Sequence, residues 1–131
     1  SILKSGDSFT LFTGTLGGAG FGSTTLPALW PGLSWNTTGI APAGSGIISV
    51  TGTATPPVTT VANVSGGNFV IQGSGGLAGA TYRLLSSTNV ALPLASWTRV
   101  STNTFSATGT YTNTISLNPV VPQRFFAIEV P

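Results

Sequence analysis

Apolar and polar residues alternate with a period of two along much of the chain. In the stretch "DSFTLFTG", residues 7–14, Phe9 and Leu11 alternate with Ser8 and Thr10. Short β-branched or aromatic runs bounded by Gly, Pro, Asn or Ser recur at 46–52, 68–73, 80–87, 109–116 and 124–130. This pattern is typical of strands separated by turns. No stretch carries a helical stripe, and 18 Gly and 9 Pro would interrupt long helices, so the sequence predicts an all-β fold.

The pattern breaks at "TGTATPPVTT", residues 51–60. Pro56 and Pro57 cannot donate hydrogen bonds to a sheet, and the residues around them are small. We therefore expect a stiff connector at this point. The predicted organisation is a short N-terminal β segment (the end of a repeat, or subunit-linking strands), a Pro-rich connector and a β-sandwich domain: residues 1–52, 53–57 and 58–131.

The C-terminal part offers about seven short strands, as many as a small two-sheet sandwich of immunoglobulin or fibronectin-III type contains. They are predicted near 58–64, 68–73, 80–86, 96–100, 103–106, 110–116 and 124–130. The N-terminal part offers about four strands, too few for a core of its own. It must therefore lean on the second part, on a preceding repeat or on another subunit.

Charge is scarce, at 5% of residues, where a typical soluble domain has about 25%. The four cations are well separated and make no basic patch, which excludes nucleic acid and an anionic membrane surface as partners: Lys4, Arg83, Arg99 and Arg124. A surface of Ser, Thr, Asn and Gly repels its own copies weakly, which favours self-assembly. We interpret this as the composition of an extracellular or cell-surface protein.

Two further features are absent from the sequence, and each excludes a structural element. There is no Cys, which excludes disulfides, and no apolar run approaches the about 18 residues that a membrane-spanning helix needs. The chain opens at Ser1 without a leader, and we expect a processed chain or a fragment.

The chain has few side chains that could act as a general acid or base. The only carboxylates are Asp7 and Glu129, and there is no His. We expect Asp7 to form the turn before the first strand, and Glu129 to point outward or to pair with an arginine such as Arg124. Serine nucleophiles lack a base, and zinc and copper lack their preferred ligands. The sequence thus predicts a protein that is not an enzyme and has no catalytic residue, metal or cofactor.

Two segments resemble a known family. Residues 5–50 contain "SGDSFTLFTG", "LPALWPGLSWNTTG" and "GIISV", and residues 67–130 run from "GNFVIQGSGG" to "RFFAIEV". Both resemble the C-terminal region of autotransporter-associated β-strand repeat proteins, secreted or surface proteins of Verrucomicrobia-like environmental bacteria. Trp30 departs from the pattern, which has a small or apolar residue there. The resemblance implies secreted or surface-displayed β structure without catalytic residues.

Three aromatic residues are candidate ligand contacts, and a fourth is expected in the core. Trp35 belongs to the family pattern beside Leu33, so we expect it in the core. Trp30 lies between Leu29 and Pro31 in a turn, where we expect exposure. The candidate ligand contacts are Trp30, Trp97 and Tyr111, with the core as the alternative place for Trp97. Two N-x-[ST] sequons, at Asn36 and Asn63, are candidate glycosylation sites.

Low charge, strand pattern and incomplete packing favour a structural function. We expect a non-catalytic subunit of an extracellular assembly (a filament, pilus-like fibre or surface coat) whose partners are copies of itself. Residues 1–13 would extend into a neighbour by strand addition. The candidate contacts are Ile2, Leu3, Phe9, Leu11 and Phe12. The alternative is a carbohydrate-binding or adhesive sandwich of a surface adhesin, with glycans as partners, and a third interpretation is a sorting or anchoring domain.

Overall fold

The computed structural model describes residues 2–131, and Ser1, the first residue of the expected linking segment, lies outside them. Nine strands in the described chain form three antiparallel three-stranded sheets, which confirms the all-β prediction. The strands are β1 (Ser8–Thr10), β2 (Leu33–Asn36), β3 (Ile47–Gly52), β4 (Val58–Ser65), β5 (Asn68–Ser74), β6 (Thr81–Ser87), β7 (Thr98–Thr104), β8 (Tyr111–Ser116) and β9 (Phe125–Glu129). Two 3-10 helices span Thr38–Ile40 and Leu94–Ser96. No helix in residues 2–131 is long and apolar enough to cross a membrane.

The chain divides into two compact units, Ser1–Thr55 and Pro56–Pro131. In the first unit the sheet has the order β1-β3-β2. Because side chains alternate across a strand, Ile48 and Val50 of β3 point to one face and are buried there. Trp30 and Ile40 complete the buried apolar set of this unit.

The first unit has three strands in its described residues, where the sequence predicted about four. The stretch between β1 and β2 accounts for the difference. It is rich in glycine, and Gly14, Gly18 and Gly20 have positive φ, which a regular strand does not accommodate. This part of the chain makes turns instead of a further strand.

The second unit contains two sheets, with the orders β4-β5-β8 and β7-β6-β9. Stacked rings join them, since Phe69 of β5 lies 4.7 Å from Phe126 of β9, centroid to centroid. A second aromatic contact, 5.5 Å between centroids, joins Tyr82 of β6 to Tyr111 of β8. Tyr82, Tyr111 and the neighbouring Phe105 are all buried, so the core of this unit lies between the two sheets.

The predicted strands at 96–100 and 103–106 are a single strand, β7, so the second unit has six strands and not seven. The sequence "STN" at 101–103, where one predicted strand ends and the next begins, consists of residues that favour turns. In the structure these three residues continue the ladder, pairing with residues 82–84 of β6. Ser, Thr and Asn are common in turns, but a neighbouring strand that offers unpaired backbone groups keeps them extended.

Candidate functional site

The eight-residue strand β4 is an unprotected sheet edge. It pairs with β5 on one side, and all eight of its residues are exposed. Its sequence, "VTTVANVS", has no charged residue, although charges and prolines are the usual protection of an edge strand. The one device present is a bulge between Thr59 and Val61. The strand is therefore a ready template for pairing with another chain.

An apolar groove of about 640 Å³ lies beside this edge. The register pairs Ala62 with Ile71 and Val64 with Phe69, so these four side chains share one face and form one wall. The segment 117–126 forms the other wall. A face that would be buried in a complete two-sheet core is thus open to solvent along β4.

The second wall leads into another free edge. Strand β9 pairs with β6, and no strand of the described residues pairs with its other side. Phe125 and Phe126, the first two residues of β9, line the groove. The groove is therefore bordered by one edge strand from each sheet of the second unit, β4 and β9.

A cation is fixed at the rim of the groove. The guanidinium of Arg124 lies 5.2 Å from the centroid of the Phe126 ring, and its Nη2 donates to the Ser86 hydroxyl at 3.2 Å. Arg124 also lines a hollow of about 380 Å³ on the other side. Hydroxyl side chains dominate that hollow: Ser86, Ser87, Thr88, Ser96 and Thr98. A guanidinium held by a ring and a hydroxyl is well placed to bind a carboxylate.

The second unit offers Arg124 no carboxylate of its own. Its single acidic residue, Glu129, forms an ion pair with Arg83 at 3.2 Å. The pair forms because Arg83 of β6 lies directly opposite Glu129 of β9 in the register. The expectation that Glu129 pairs with an arginine is confirmed, but Arg124 as the example was wrong.

Both acidic side chains of the chain have partners within their own units. Asp7 serves its own turn, as predicted, because its Oδ2 accepts the Lys4 backbone N–H at 2.9 Å. Glu129 is engaged in its ion pair. Among residues 2–131 no group of three or more His, Cys, Asp or Glu side chains comes together. What the groove combines is an apolar wall, unpaired strand edges and one guanidinium.

The structure buries Trp30 more deeply than Trp35, the reverse of the expected order. Trp30, expected to be exposed, is 5% exposed, and its indole N–H donates to the Thr55 carbonyl at 2.7 Å. Trp35, expected in the core, is half-buried and lies 5.9 Å from Phe9, centroid to centroid. The turn at Pro31 and Gly32 folds the Trp30 ring inward, since the Leu33 N–H bonds back to the Trp30 carbonyl. Trp30 therefore has no face available for a ligand.

The other two ligand candidates lie in the second unit. Tyr111 is 4% exposed, its ring packs on Tyr82 and Phe105, and its hydroxyl bonds Thr59 at 2.7 Å. Successive residues of β8 alternate between buried and exposed, and Tyr111 falls on the buried face. Because its ring is buried, Tyr111 has no exposed face for a ligand, contrary to the prediction. Trp97 is half-buried and donates its indole N–H to the Leu92 carbonyl.

The five subunit-contact candidates are not a free extension. Backbone bonds tie this segment to β3 and to the residue before it, from the Gly6 N–H to the Val50 carbonyl (2.9 Å) and from the Leu11 N–H to the Gly46 carbonyl (2.8 Å). Three of the five side chains are nonetheless exposed: Ile2, Phe9 and Leu11. Leu3 and Phe12 are half-buried, and Phe12 packs on Phe21. The expected loose strand is thus already an edge strand of its own sheet, with one side still open.

Both sequon asparagines are exposed. Asn36 ends β2, and its Oδ1 accepts bonds from the backbone N–H and the hydroxyl of Thr38. Asn63 lies in the middle of β4, opposite Val70 of β5. A modification at Asn63 would therefore stand on the free edge itself.

The sequence predicted a strand near 58–64, but it did not predict that this strand forms a sheet edge beside a groove. An uncharged valine strand directly after Pro56-Pro57 is the available signal, because proline confines a strand to a sheet edge. Nothing in the sequence places Arg124 over Phe126, since that contact depends on where segment 117–126 crosses between the sheets.

No family model, no curated protein and no solved structure matches the chain.

Proposed function

We propose that the protein is a non-catalytic structural subunit of an extracellular assembly, a filament, pilus-like fibre or surface coat, whose copies join by strand addition. The observation that carries the proposal is the apolar groove bordered by the free edges of β4 and β9. An added strand would pair with an open edge and cover apolar side chains such as Val64 and Phe69. The pairing comes from a partner's backbone, and the cover comes from its apolar side chains.

Strand order supports a finer proposal for the second unit. Its first, second and fifth strands form one sheet, and its third and sixth strands are neighbours in the other. The constant-type immunoglobulin sandwich has the same neighbours, with a seventh strand beside the sixth. Here the fourth strand, β7, lies beside the third instead. We propose an immunoglobulin- or fibronectin-III-like sandwich whose seventh position, beside β9, is filled by another copy.

The composition supports a place outside the cell. With 5% charged residues, the surface lacks the repulsion that keeps most soluble proteins apart. The resemblance to the C-terminal region of autotransporter-associated β-strand repeat proteins points the same way, toward secreted or surface-displayed β structure. We propose an extracellular or cell-surface location on these two grounds.

The carbohydrate-binding alternative has lost support. A sugar platform needs aromatic faces open to solvent, yet Trp30 and Tyr111 are both buried. Trp97 remains half-exposed, and one ring seldom makes a platform. A titration of candidate glycans followed by tryptophan fluorescence keeps this alternative testable, and we expect no quenching.

A charge placed on the edge strand tests the proposal. Val64 is 66% exposed, so Val64→Lys costs the monomer little, but an added strand would bury the ammonium group. Val90→Lys makes the same change at a residue that is 62% exposed in a turn. Light scattering and negative-stain electron microscopy would follow assembly, and circular dichroism would check folding.

We expect regular polymers of the unaltered chain and of Val90→Lys, and monomers of folded Val64→Lys. Polymers of Val64→Lys equal to those of the unaltered chain would contradict addition at this groove. A chain that stays monomeric at every concentration would contradict the assembly function itself.

A further inference from the structure

We infer that the groove receives residues 6–11 of a second copy, with the Asp7 carboxylate bound to the Arg124 guanidinium. This inference rests on the proposed function and names the segment that performs the strand addition. Residues 6–11 are called the donor segment below, and the groove between β4–β5 and residues 117–126 is called the acceptor groove.

Residues 7–11 of the donor segment run along β3 with one open side, and Gly6 lies in the turn before them, with a φ of 92°. The sheet has the order β1-β3-β2, so β1 is an edge and bonds to β3 on its inner side alone. The pairing extends beyond Ser8–Thr10, because the Val50 N–H bonds the Asp7 carbonyl and the Leu11 N–H bonds the Gly46 carbonyl. The outer edge can therefore pair with β9 of another copy without leaving its own sheet.

The side chains of the donor segment are arranged to match the groove. Asp7, Phe9 and Leu11 are two residues apart, so they share one face of the strand. Phe9 is 39% exposed and Leu11 is 54% exposed, which leaves apolar area on that face uncovered. One face thus carries a carboxylate followed by two apolar side chains.

The acceptor groove presents the complementary order. Arg124 stacks on Phe126, whose ring in turn stacks on Phe69 at an interplanar angle of 17°. Arg124 and Phe126 are two residues apart in the chain, as Asp7 and Phe9 are, and two residues of a strand span about 6.6 Å. With Asp7 at the guanidinium, Phe9 reaches the Phe126 and Phe69 rings and Leu11 reaches the apolar wall beyond them.

Charge complementarity selects this segment and its register. Asp7 is the one acidic residue of the first unit, and Arg124 is an arginine without a carboxylate in its own unit. A shift by one residue would turn Ser8 and Thr10 into the apolar groove and separate the two charges. The ion pair thus fixes which residues of the donor segment face inward.

The contact is heterologous, because each copy offers a donor segment and an acceptor groove at different surfaces. Such contacts propagate into open chains unless a rotation closes them into a ring. Each copy would donate to one neighbour and accept from another, which is the connectivity of a fibre.

Complementary charge reversal tests the inference. Asp7→Arg places a cation against Arg124, and Arg124→Asp places an anion against Asp7, so each variant alone meets like charge at every joint. We expect each to raise the critical concentration for assembly about tenfold or more at low salt. Mixed in equal amounts, each donor segment finds an opposite charge in the other variant's groove, and we expect alternating polymers.

Matched controls separate charge from folding. Arg99→Asp reverses an exposed arginine on β7 and should assemble like the unaltered chain. Asp7→Asn keeps a side-chain oxygen for the Lys4 N–H while it removes the charge, and should weaken assembly less than Asp7→Arg. Circular dichroism of each variant confirms that the variant is folded.

Rescue by the mixture supports the inference. If the unaltered chain polymerises while the folded variants assemble normally alone, or fail to assemble when mixed, the inference is overturned and the proposed function stands. If the unaltered chain does not polymerise, the proposed function falls and the inference falls with it.

Discussion

The side-chain amide of Asn113 donates a 3.1 Å hydrogen bond to the hydroxyl of Tyr82, and the two residues belong to different sheets of the second unit. Both are buried, at 7% and 2% exposure. Asn103 completes the network by donating its amide to the Asn113 Oδ1 at 2.8 Å. A polar pair inside an apolar core therefore fixes how the two sheets face each other.

Removing the Tyr82 hydroxyl should destabilise the second unit. Tyr82→Phe keeps the ring contacts but leaves the buried Asn113 amide without this acceptor, at a cost of about 1–3 kcal/mol in the free energy of unfolding. Urea unfolding followed by far-UV circular dichroism measures the change. Thr114→Ala, an exposed position on the same strand as Asn113, is the control and should change stability little. Equal stability of Tyr82→Phe and the unaltered chain would contradict a structural role for the pair.

Gly73 should be intolerant of any side chain. A methyl group there would meet the Val58 carbonyl oxygen and the Tyr111 ring, because β5 lies between β4 and β8 in the sheet. Overpacking of this kind costs about 1–3 kcal/mol, so Gly73→Ala should lower the melting temperature clearly. Gly17→Ala adds the same methyl into open space and should leave the melting temperature nearly unchanged. An unchanged melting temperature of Gly73→Ala would contradict the close packing of β5 against β4 and β8.

The deeper burial of Trp30 compared with Trp35 is measurable in solution. A double variant that retains Trp30 alone, Trp35→Phe with Trp97→Phe, should resist acrylamide quenching because that indole is buried. The variant that retains Trp35 alone, Trp30→Phe with Trp97→Phe, should be quenched more strongly. Equal quenching of the two variants would be incompatible with the described first unit.

The fold class could be predicted from alternation, whereas the sheet partners could not. Thr, Ser and Asn at 101–103 have turn chemistry, and only the unpaired backbone of β6 makes them part of β7. Trp30 looked exposed because Pro31 and Gly32 follow it. Its burial depends on the Thr55 carbonyl, 25 residues away in the sequence, which accepts the indole N–H.

The candidate site, too, could be predicted from the sequence only in part. Phe9 and Leu11 of the donor segment are visible as a pattern of period two, and the strand near 58–64 as a valine-rich run after Pro56-Pro57. That β4 and β9 are edges is a property of sheet order, which local sequence does not encode. The position of Arg124 depends on tertiary packing against Ser86 and Phe126.

Hydrogen–deuterium exchange of the purified chain, compared between dilute and concentrated solution, tests strand addition most directly. If a strand is added at the acceptor groove, the open edges of β9 and β4 gain hydrogen-bond partners or cover. The backbone amides of both strands should therefore become protected from exchange as the chain assembles. Amides of the central strand β5 should already be protected in the dilute sample. Assembly without added protection at β9 and β4, or a chain that never assembles, would contradict the proposal.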